Sequence, residues 1–164
     1  MILRHWKRRS NLRYEDKLLL RYARKARGTI YAEVPIGIDD WSPVDSERRY
    51  LDGVRVPSVA QKDAKAEIIT YTPGRHNEFE EAIESREVEV IEIKRKLNRP
   101  VIGQVMVGVD IFQREYKCAG ITPVIVCSIG DGLLESFCER HNIRIRQIKG
   151  TANVRRTKSL RSRS

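Results

Sequence analysis

The chain has 164 residues, which is the size of one domain with its own core, and 40% of them are hydrophobic, as is ordinary for a soluble protein. It carries 32 Lys and Arg against 22 Asp and Glu, for a net charge of +10. No apolar run reaches the roughly 18 residues of a membrane-spanning helix, and the basic N-terminus lacks the apolar stretch of a signal peptide. The composition therefore argues against a membrane protein and predicts a cytoplasmic one.

The positive charge is concentrated at the two ends of the chain. Residues 1–27 carry ten basic and two acidic side chains, and residues 149–164 carry six basic and no acidic ones. The segment 28–148 is slightly acidic, with 16 basic and 20 acidic residues. Blocks of like charge at chain ends commonly bind polyanions, so we expect contact with nucleic acid and a nucleoid-associated location. The alternative is that the basic ends only increase solubility.

Cysteine and histidine give no metal-binding or disulfide pattern. The three cysteines are an odd number without C-x-x-C spacing, and the three histidines are scattered along the chain. These counts predict reduced thiols and no zinc site.

The first predicted element after a basic arm (residues 1–10) is a helix at 11–27, capped by Ser10 or Asn11. Glu15 falls on its apolar face, before Leu18 and Leu19, and its i+4 partner is not a cation. An acid near a helix start also interacts favourably with the helix dipole, so a structural role for Glu15 stays open. The opposite face of this helix is basic, with Arg13, Lys17, Arg21, Arg24 and Lys25.

Two strands are predicted next, at 29–38 and 50–56. Asp52 lies near the start of the second strand and is followed by Gly53, which allows a ligand to approach closely. An ordinary Asp-Gly turn is the alternative for this pair. Other acids nearby are spare candidates for the role of Asp52, namely Asp39, Asp40, Asp45 and Asp63.

The segment 57–86 is interpreted as an insertion packed beside the site, a candidate substrate-facing flap. It contains a short predicted strand at 67–72, a Pro-Gly turn and a short acidic helix at 77–85.

A central strand is predicted at 87–96, where β-branched residues predominate. Side chains alternate along a strand, so Glu92 and Lys94 share a face. Val88 and Val90 belong to the same face, and if it is buried, Glu92 needs a partner or a metal. Glu89 would then point outwards; a bulge would undo this argument. Since more basic residues follow directly, Lys94 is alternatively an ordinary solvated cation.

The remaining elements are a segment at 101–117, a buried strand at 122–128, a helix at 133–141 and a short strand at 143–148. Asp131 is the expected N-cap of that last helix. The composition of 101–117 favours a strand, whereas its spacing and the Asn-Arg-Pro start also allow a helix. Residues 149–164 form a basic tail rich in Ser and Arg, expected to be disordered until bound.

An acid on one strand, then Glu92-Ile93-Lys94 on the next, then Gln104, resembles the motif of the PD-(D/E)XK nuclease superfamily. The order of elements over residues 11–148 is also similar to that superfamily. The resemblance implies an α/β fold, the restriction-endonuclease-like three-layer sandwich with a central mixed β-sheet flanked by helices. It also implies that 101–117 is a helix.

The resemblance further implies a metal-dependent DNA endonuclease that hydrolyses phosphodiester bonds. Asp52, Glu92 and the Ile93 carbonyl would hold Mg²⁺ or Mn²⁺, Lys94 would help to position water and stabilise charge, and Glu15 and Gln104 would complete the site. Contacts to DNA phosphates are expected from the basic arm, the first helix and the end of the central strand, through Arg8, Arg9, Arg13, Lys17, Arg21, Arg95 and Lys96.

No base-reading motif is present, so cleavage of duplex or branched DNA is expected to be structure-specific or nonspecific, in repair, recombination or mobile-element processing. Resolvases of this superfamily act as dimers, which suggests a homodimer. The alternative from another class is a non-catalytic nucleic-acid-binding or accessory module on the same fold.

Overall fold

The computed structural model describes residues 3–4 (as backbone), 12–37, 49–58 and 65–149. The described strands are β1 (Leu3–Arg4), β2 (Thr29–Ile36), β3 (Arg49–Val56), β4 (Glu67–Thr70), β5 (Glu87–Lys96), β6 (Gly120–Ile129) and β7 (Arg144–Gln147). The described helices are α1 (Tyr14–Ala23), α2 (His76–Ile83), α3 (Arg99–Glu115) and α4 (Gly132–Arg140), and a 3-10 turn at Pro73–Arg75 precedes α2.

The described strands form one mixed sheet in the order β1-β4-β2-β3-β5-β6-β7. β3 lies antiparallel to both β2 and β5, whereas β5, β6 and β7 run parallel to one another. β4 pairs in parallel with β2. The predicted α/β class with a central mixed sheet is therefore confirmed.

Both faces of the sheet are covered, which produces three layers. On one face, the α1 residues Leu18, Leu19 and Tyr22 share a buried cluster with alternate residues of the central strands, namely Ile91, Ile93, Val124 and Val126. On the other face, the helices α2, α3 and α4 contribute Phe79, Val105, Phe112 and Cys138 to a second buried cluster. The strand residues in that cluster include Val88 and Val90 of β5 and Ile125 of β6. Since neither face of β5 is exposed to water, its strand is apolar along most of its length rather than on every second residue.

The segment around 101–117 is the helix α3. The Asn98 side chain accepts a hydrogen bond from the Val101 N–H at 3.0 Å, and Pro100 lies in the first turn, where its missing N–H costs nothing. Val101, Val105 and Phe112 are buried on one face at helical spacing. Local capping and periodicity thus outweigh the strand preference of the valines.

Two details of the sequence interpretation need correction. α1 begins at Tyr14, with Arg13 as its N-cap residue, and the Asp16 carboxylate accepts the Arg13 N–H at 2.8 Å. Ser10 and Asn11, the residues expected to cap the helix, lie outside the described residues. The described part of 57–86 is integral to the body of the fold, because β4 belongs to the main sheet and Phe79 of α2 is fully buried.

No helix in the described ranges is long and apolar enough to cross a membrane.

Candidate active site

The candidate site lies where β3 and β5 separate. The two strands pair from Arg55↔Glu89 to Gly53↔Ile91, and this register places Asp52 across from Glu92. At that point the Ile93 N–H donates to Asp52 Oδ2 at 2.7 Å instead of to a backbone carbonyl. The Asp52 carboxylate therefore occupies the end of the β3–β5 ladder.

A backbone distortion in β2 accompanies this separation. Glu33 adopts a φ of 60°, a left-handed conformation that is costly for a residue with a side chain. Its neighbours Tyr31 and Val34 both pack on the α3 side of the sheet, so the usual alternation breaks at Glu33. Strain of this kind is common beside functional sites, and Glu33 lines the same cleft as Asp52.

Asp52 and Glu92 form a buried, hydrogen-bonded pair of carboxyl groups. Glu92 is only 9% exposed, and it lies on the Val88/Val90 face as the alternation predicts. Burial and the neighbouring charge of Asp52 raise the pKa of Glu92 to about 9. Burial also raises the pKa of Asp52, against the opposing effect of the Ile93 N–H. At neutral pH the pair therefore holds a proton, which Glu92 donates to Asp52.

Lys94 and Glu15 lie near this pair. The charge of Lys94 lowers the pKa of both carboxyl groups, whereas Glu15 raises that of Asp52. Both line a half-open cleft of about 890 Å³ together with Asp52 and Ile93, which we call the carboxyl cleft. Its rim also includes Arg13 of α1. The half-buried Glu15, near the start of α1, thus borders the same cleft as Asp52.

Gln104 lies on the other side of the carboxyl pair. With Gly103, Gly108 and Glu92 it lines a second space of about 470 Å³, the α3 cleft. Tyr50, which is 53% exposed, borders both clefts. Asp52 and Lys94 therefore line the carboxyl cleft, whereas Glu92 and Gln104 line the α3 cleft. Glu92 and Lys94 were expected to share a face, but they do not line the same cleft.

The residues present are suited to a hard divalent cation. Extended strand residues direct their N–H and C=O to the same neighbouring strand, so the Ile93 carbonyl faces Asp52 as its N–H does. Two carboxylates with a backbone oxygen suit Mg²⁺, which often uses one or two carboxylates and keeps several waters. Within the described ranges no group of three or more His, Cys, Asp or Glu is arranged to hold a metal. The raised pKa values show that two negative charges are unfavourable here without a cation.

The basic residues predicted to bind phosphates have different surroundings. Four of them are exposed: Arg13 at the start of α1, Lys17 on α1, and Arg95 and Lys96 at the end of β5. Arg95 lies over the Tyr14 ring, with its Cζ 5.6 Å from the ring centroid. Arg21 is half-buried on α1. The other predicted phosphate ligands and spare acids, Arg8, Arg9, Asp39, Asp40, Asp45 and Asp63, lie outside the described residues.

The sequence interpretation missed the role of Glu89, which was expected to point outwards. Glu89 is 3% exposed on the α1 face, where its carboxylate accepts from Tyr22 Oη at 2.7 Å and from Arg55 Nε and Arg144 at 2.6 Å each. Burial opposes its ionisation, but the hydrogen bonds from Arg55 and Tyr22 outweigh it and lower the pKa of Glu89. The outward assignment was wrong because α1 covers that face.

No protein-family model, no curated protein and no solved structure matches this chain.

Proposed function

We propose that this protein is a metal-dependent nuclease that hydrolyses phosphodiester bonds in DNA. The observation that supports this most strongly is the buried Asp52–Glu92 pair beside Lys94, at the wall of an open cleft. Burial of two neighbouring carboxyl groups is unfavourable for stability, and perturbed pKa values of this kind are concentrated at functional sites. The fold we propose is the restriction-endonuclease-like member of the three-layer α/β class.

Asp52, Glu92 and the Ile93 carbonyl are the residues that would hold Mg²⁺ or Mn²⁺. When bound, such an ion supplies Lewis-acid activation of water and offsets charge on the phosphate. The carboxyl pair must release its shared proton for both groups to act as ligands. Low pH is therefore expected to inhibit the protein.

Lys94 has a different task from the carboxyl pair. Its side chain lines the carboxyl cleft with Asp52, where an ammonium group offers three hydrogen-bond donors and a positive charge. It would orient the attacking water and stabilise the negative charge that develops on the phosphate. Glu15 would accept a hydrogen bond from that water, and Gln104 would orient Glu92 from the α3 cleft.

The surroundings of the carboxyl cleft favour a polyanionic substrate. Arg13 is on its rim, and Arg95 follows Lys94 at the end of β5. Cations of this type contact phosphates without reading sequence, so cleavage would depend on DNA structure more than on base order. Recruitment would be sensitive to salt.

The test is incubation of supercoiled plasmid, single strands and a four-way junction with Mg²⁺, Mn²⁺ or EDTA. Asp52→Asn, Glu92→Gln and Lys94→Ala are each expected to abolish cutting and to leave DNA affinity within a few fold. Lys117→Ala, which removes an exposed lysine after α3, is the matched control and should cut normally. Binding without cutting by the wild type would instead favour a non-catalytic module, and cutting by Lys94→Ala would remove that residue from the mechanism.

A further inference from the structure

A third cleft, lined by basic residues, lies on the α1 face of the sheet. It is at the opposite end of that helix from the carboxyl cleft. Its volume is about 580 Å³, and it is enclosed by the end of α1, the end of β3 and the edge strand β7. Four cations line it, one or two from each of these parts: Lys25, Arg27, Arg55 and Arg146. We call it the basic cleft.

Two residues that line the basic cleft, Tyr22 and Arg55, are hydrogen-bonded to the buried Glu89. This carboxylate accepts one hydrogen bond from Tyr22, one from Arg55 and one from Arg144 of β7. Arg55 also donates to the Arg27 carbonyl at 2.7 Å, which ties the chain after α1 to β3. Glu89 is therefore paired with Arg55 but with none of the other cations that line the cleft.

The remaining cations of the cleft are exposed to solvent. Lys25, Arg27 and Arg146 form no ion pair with any carboxylate in the described ranges. Arg146 is close enough to Tyr22 to lower its pKa against the dominant effect of burial. A concave, pre-organised group of guanidinium and ammonium donors is suited to phosphate oxygens.

A basic ridge on α1 connects the two clefts. Lys17 and Arg21 lie one turn apart on α1, and Arg13 and Lys25 continue the same four-residue spacing just before and just after the helix. Arg13 lines the carboxyl cleft and Lys25 lines the basic cleft. α1, which separates these two ends, is about 15 Å long at about 1.5 Å per residue.

β3 gives a second, shorter estimate of the distance between the carboxyl cleft and the basic cleft. Asp52 and Arg55 are three residues apart on that strand, which is about 10 Å. Successive phosphates of one DNA strand advance about 3.4 Å along the helix axis. The two clefts are therefore about three to five nucleotides apart.

We propose that the basic cleft binds a backbone phosphate of the DNA strand whose scissile phosphate lies at the Asp52–Glu92 pair, about three to five nucleotides away. The register of this contact rests on the proposed function, whereas binding of DNA in the cleft does not. With both clefts occupied, the protein contacts a longer stretch of the DNA strand than the carboxyl cleft alone would contact. The class of ligand is a nucleic-acid phosphodiester backbone.

The test compares two double variants with the same change in net charge. Lys25→Ala/Arg146→Ala removes two exposed cations of the basic cleft, and Arg86→Ala/Lys117→Ala removes two exposed cations near the start of β5 and the end of α3. Affinity for a fluorescein-labelled 30-bp duplex is measured by anisotropy in EDTA over a salt series. The first variant is expected to lower the slope of log K against log salt by about one to two and to weaken binding about tenfold, with little change in the control.

Equal losses in both double variants would mean a general effect of charge and would overturn the proposal, as would unchanged binding by Lys25→Ala/Arg146→Ala. Circular dichroism and thermal melting check that each variant is folded. Because the affinity is measured without metal, the proposal can fail or succeed separately from the proposed function. Wild-type protein that binds through Lys25 and Arg146 but never cuts with Mg²⁺ or Mn²⁺ would support the cleft and refute the nuclease.

Discussion

Glu92→Gln is expected to stabilise the protein in the absence of divalent metal, and increasingly so as the pH rises. The pKa of Glu92 is raised from 4.5 to about 9 in the folded protein, first by burial and then by Asp52. The folded protein therefore keeps a proton that the unfolded chain releases. The stability that this bound proton contributes is fully present below the pKa of Glu92 in the unfolded chain. It is lost as the pH rises through the pKa of Glu92 in the folded protein. The glutamine amide can still donate a hydrogen bond to Asp52, but it has no proton to release as the pH rises.

The size of this effect follows from the pKa shift. Each pH unit between the two pKa values changes the free energy of unfolding by about 1.4 kcal/mol, so the wild type loses about 3 kcal/mol relative to Glu92→Gln between pH 6 and pH 8. For a chain of this size that difference corresponds to a gap of about 5–10 °C in Tm. Thermal melts of both proteins in EDTA at pH 5, 6, 7, 8 and 9 measure it. Two parallel curves would refute the shared proton, because all other titrating groups are common to both proteins.

Further predictions concern packing and charge away from the reaction. Gly103→Ala should raise the free energy of unfolding in urea by about 0.5–1 kcal/mol, because its Cβ would meet no atom within 4 Å in a helix interior. Gly108→Ala should lower it by about 1–3 kcal/mol, because its Cβ would lie 2.7 Å from Leu51 Cδ2 in the core. Glu89→Gln should cost about 3 kcal/mol at neutral pH, since it leaves the charge of Arg55 poorly compensated. That cost should shrink as the pH falls through the lowered pKa of Glu89. A destabilised Gly103→Ala or a neutral Glu89→Gln would contradict these contacts.

Local chemistry made much of the fold predictable. The caps of α3 and α4 depend on Asn98 and Asp131, each of which accepts an N–H three residues later, and such contacts can be inferred from spacing alone. The face of Glu92 could also be predicted, since strand alternation needs only the neighbouring valines. These features depend on a few consecutive residues.

Features that depend on distant parts of the chain could not be predicted in the same way. Glu89 was assigned to the outer face because nothing near it in sequence shows that α1 covers that side, and its partner Arg144 lies 55 residues away. The parallel pairing of β4 with β2 also depends on long-range register. The positive φ of Glu33, and the placement of Glu92 and Gln104 at one cleft and of Asp52 and Lys94 at another, depend on the packed fold and cannot be inferred from composition.

The most direct test of the central claim, that Asp52 and Glu92 together form a cation site, is calorimetric titration of Mn²⁺ at pH 7.5 in buffers of different ionisation enthalpy. We expect the wild type to bind Mn²⁺ and to release about one proton per ion, because the carboxyl pair must lose its shared proton. Asp52→Asn and Glu92→Gln are expected to bind weakly, and Glu92→Gln to release no proton. Equal binding by all three proteins, or binding by the wild type without proton release, would contradict the claim.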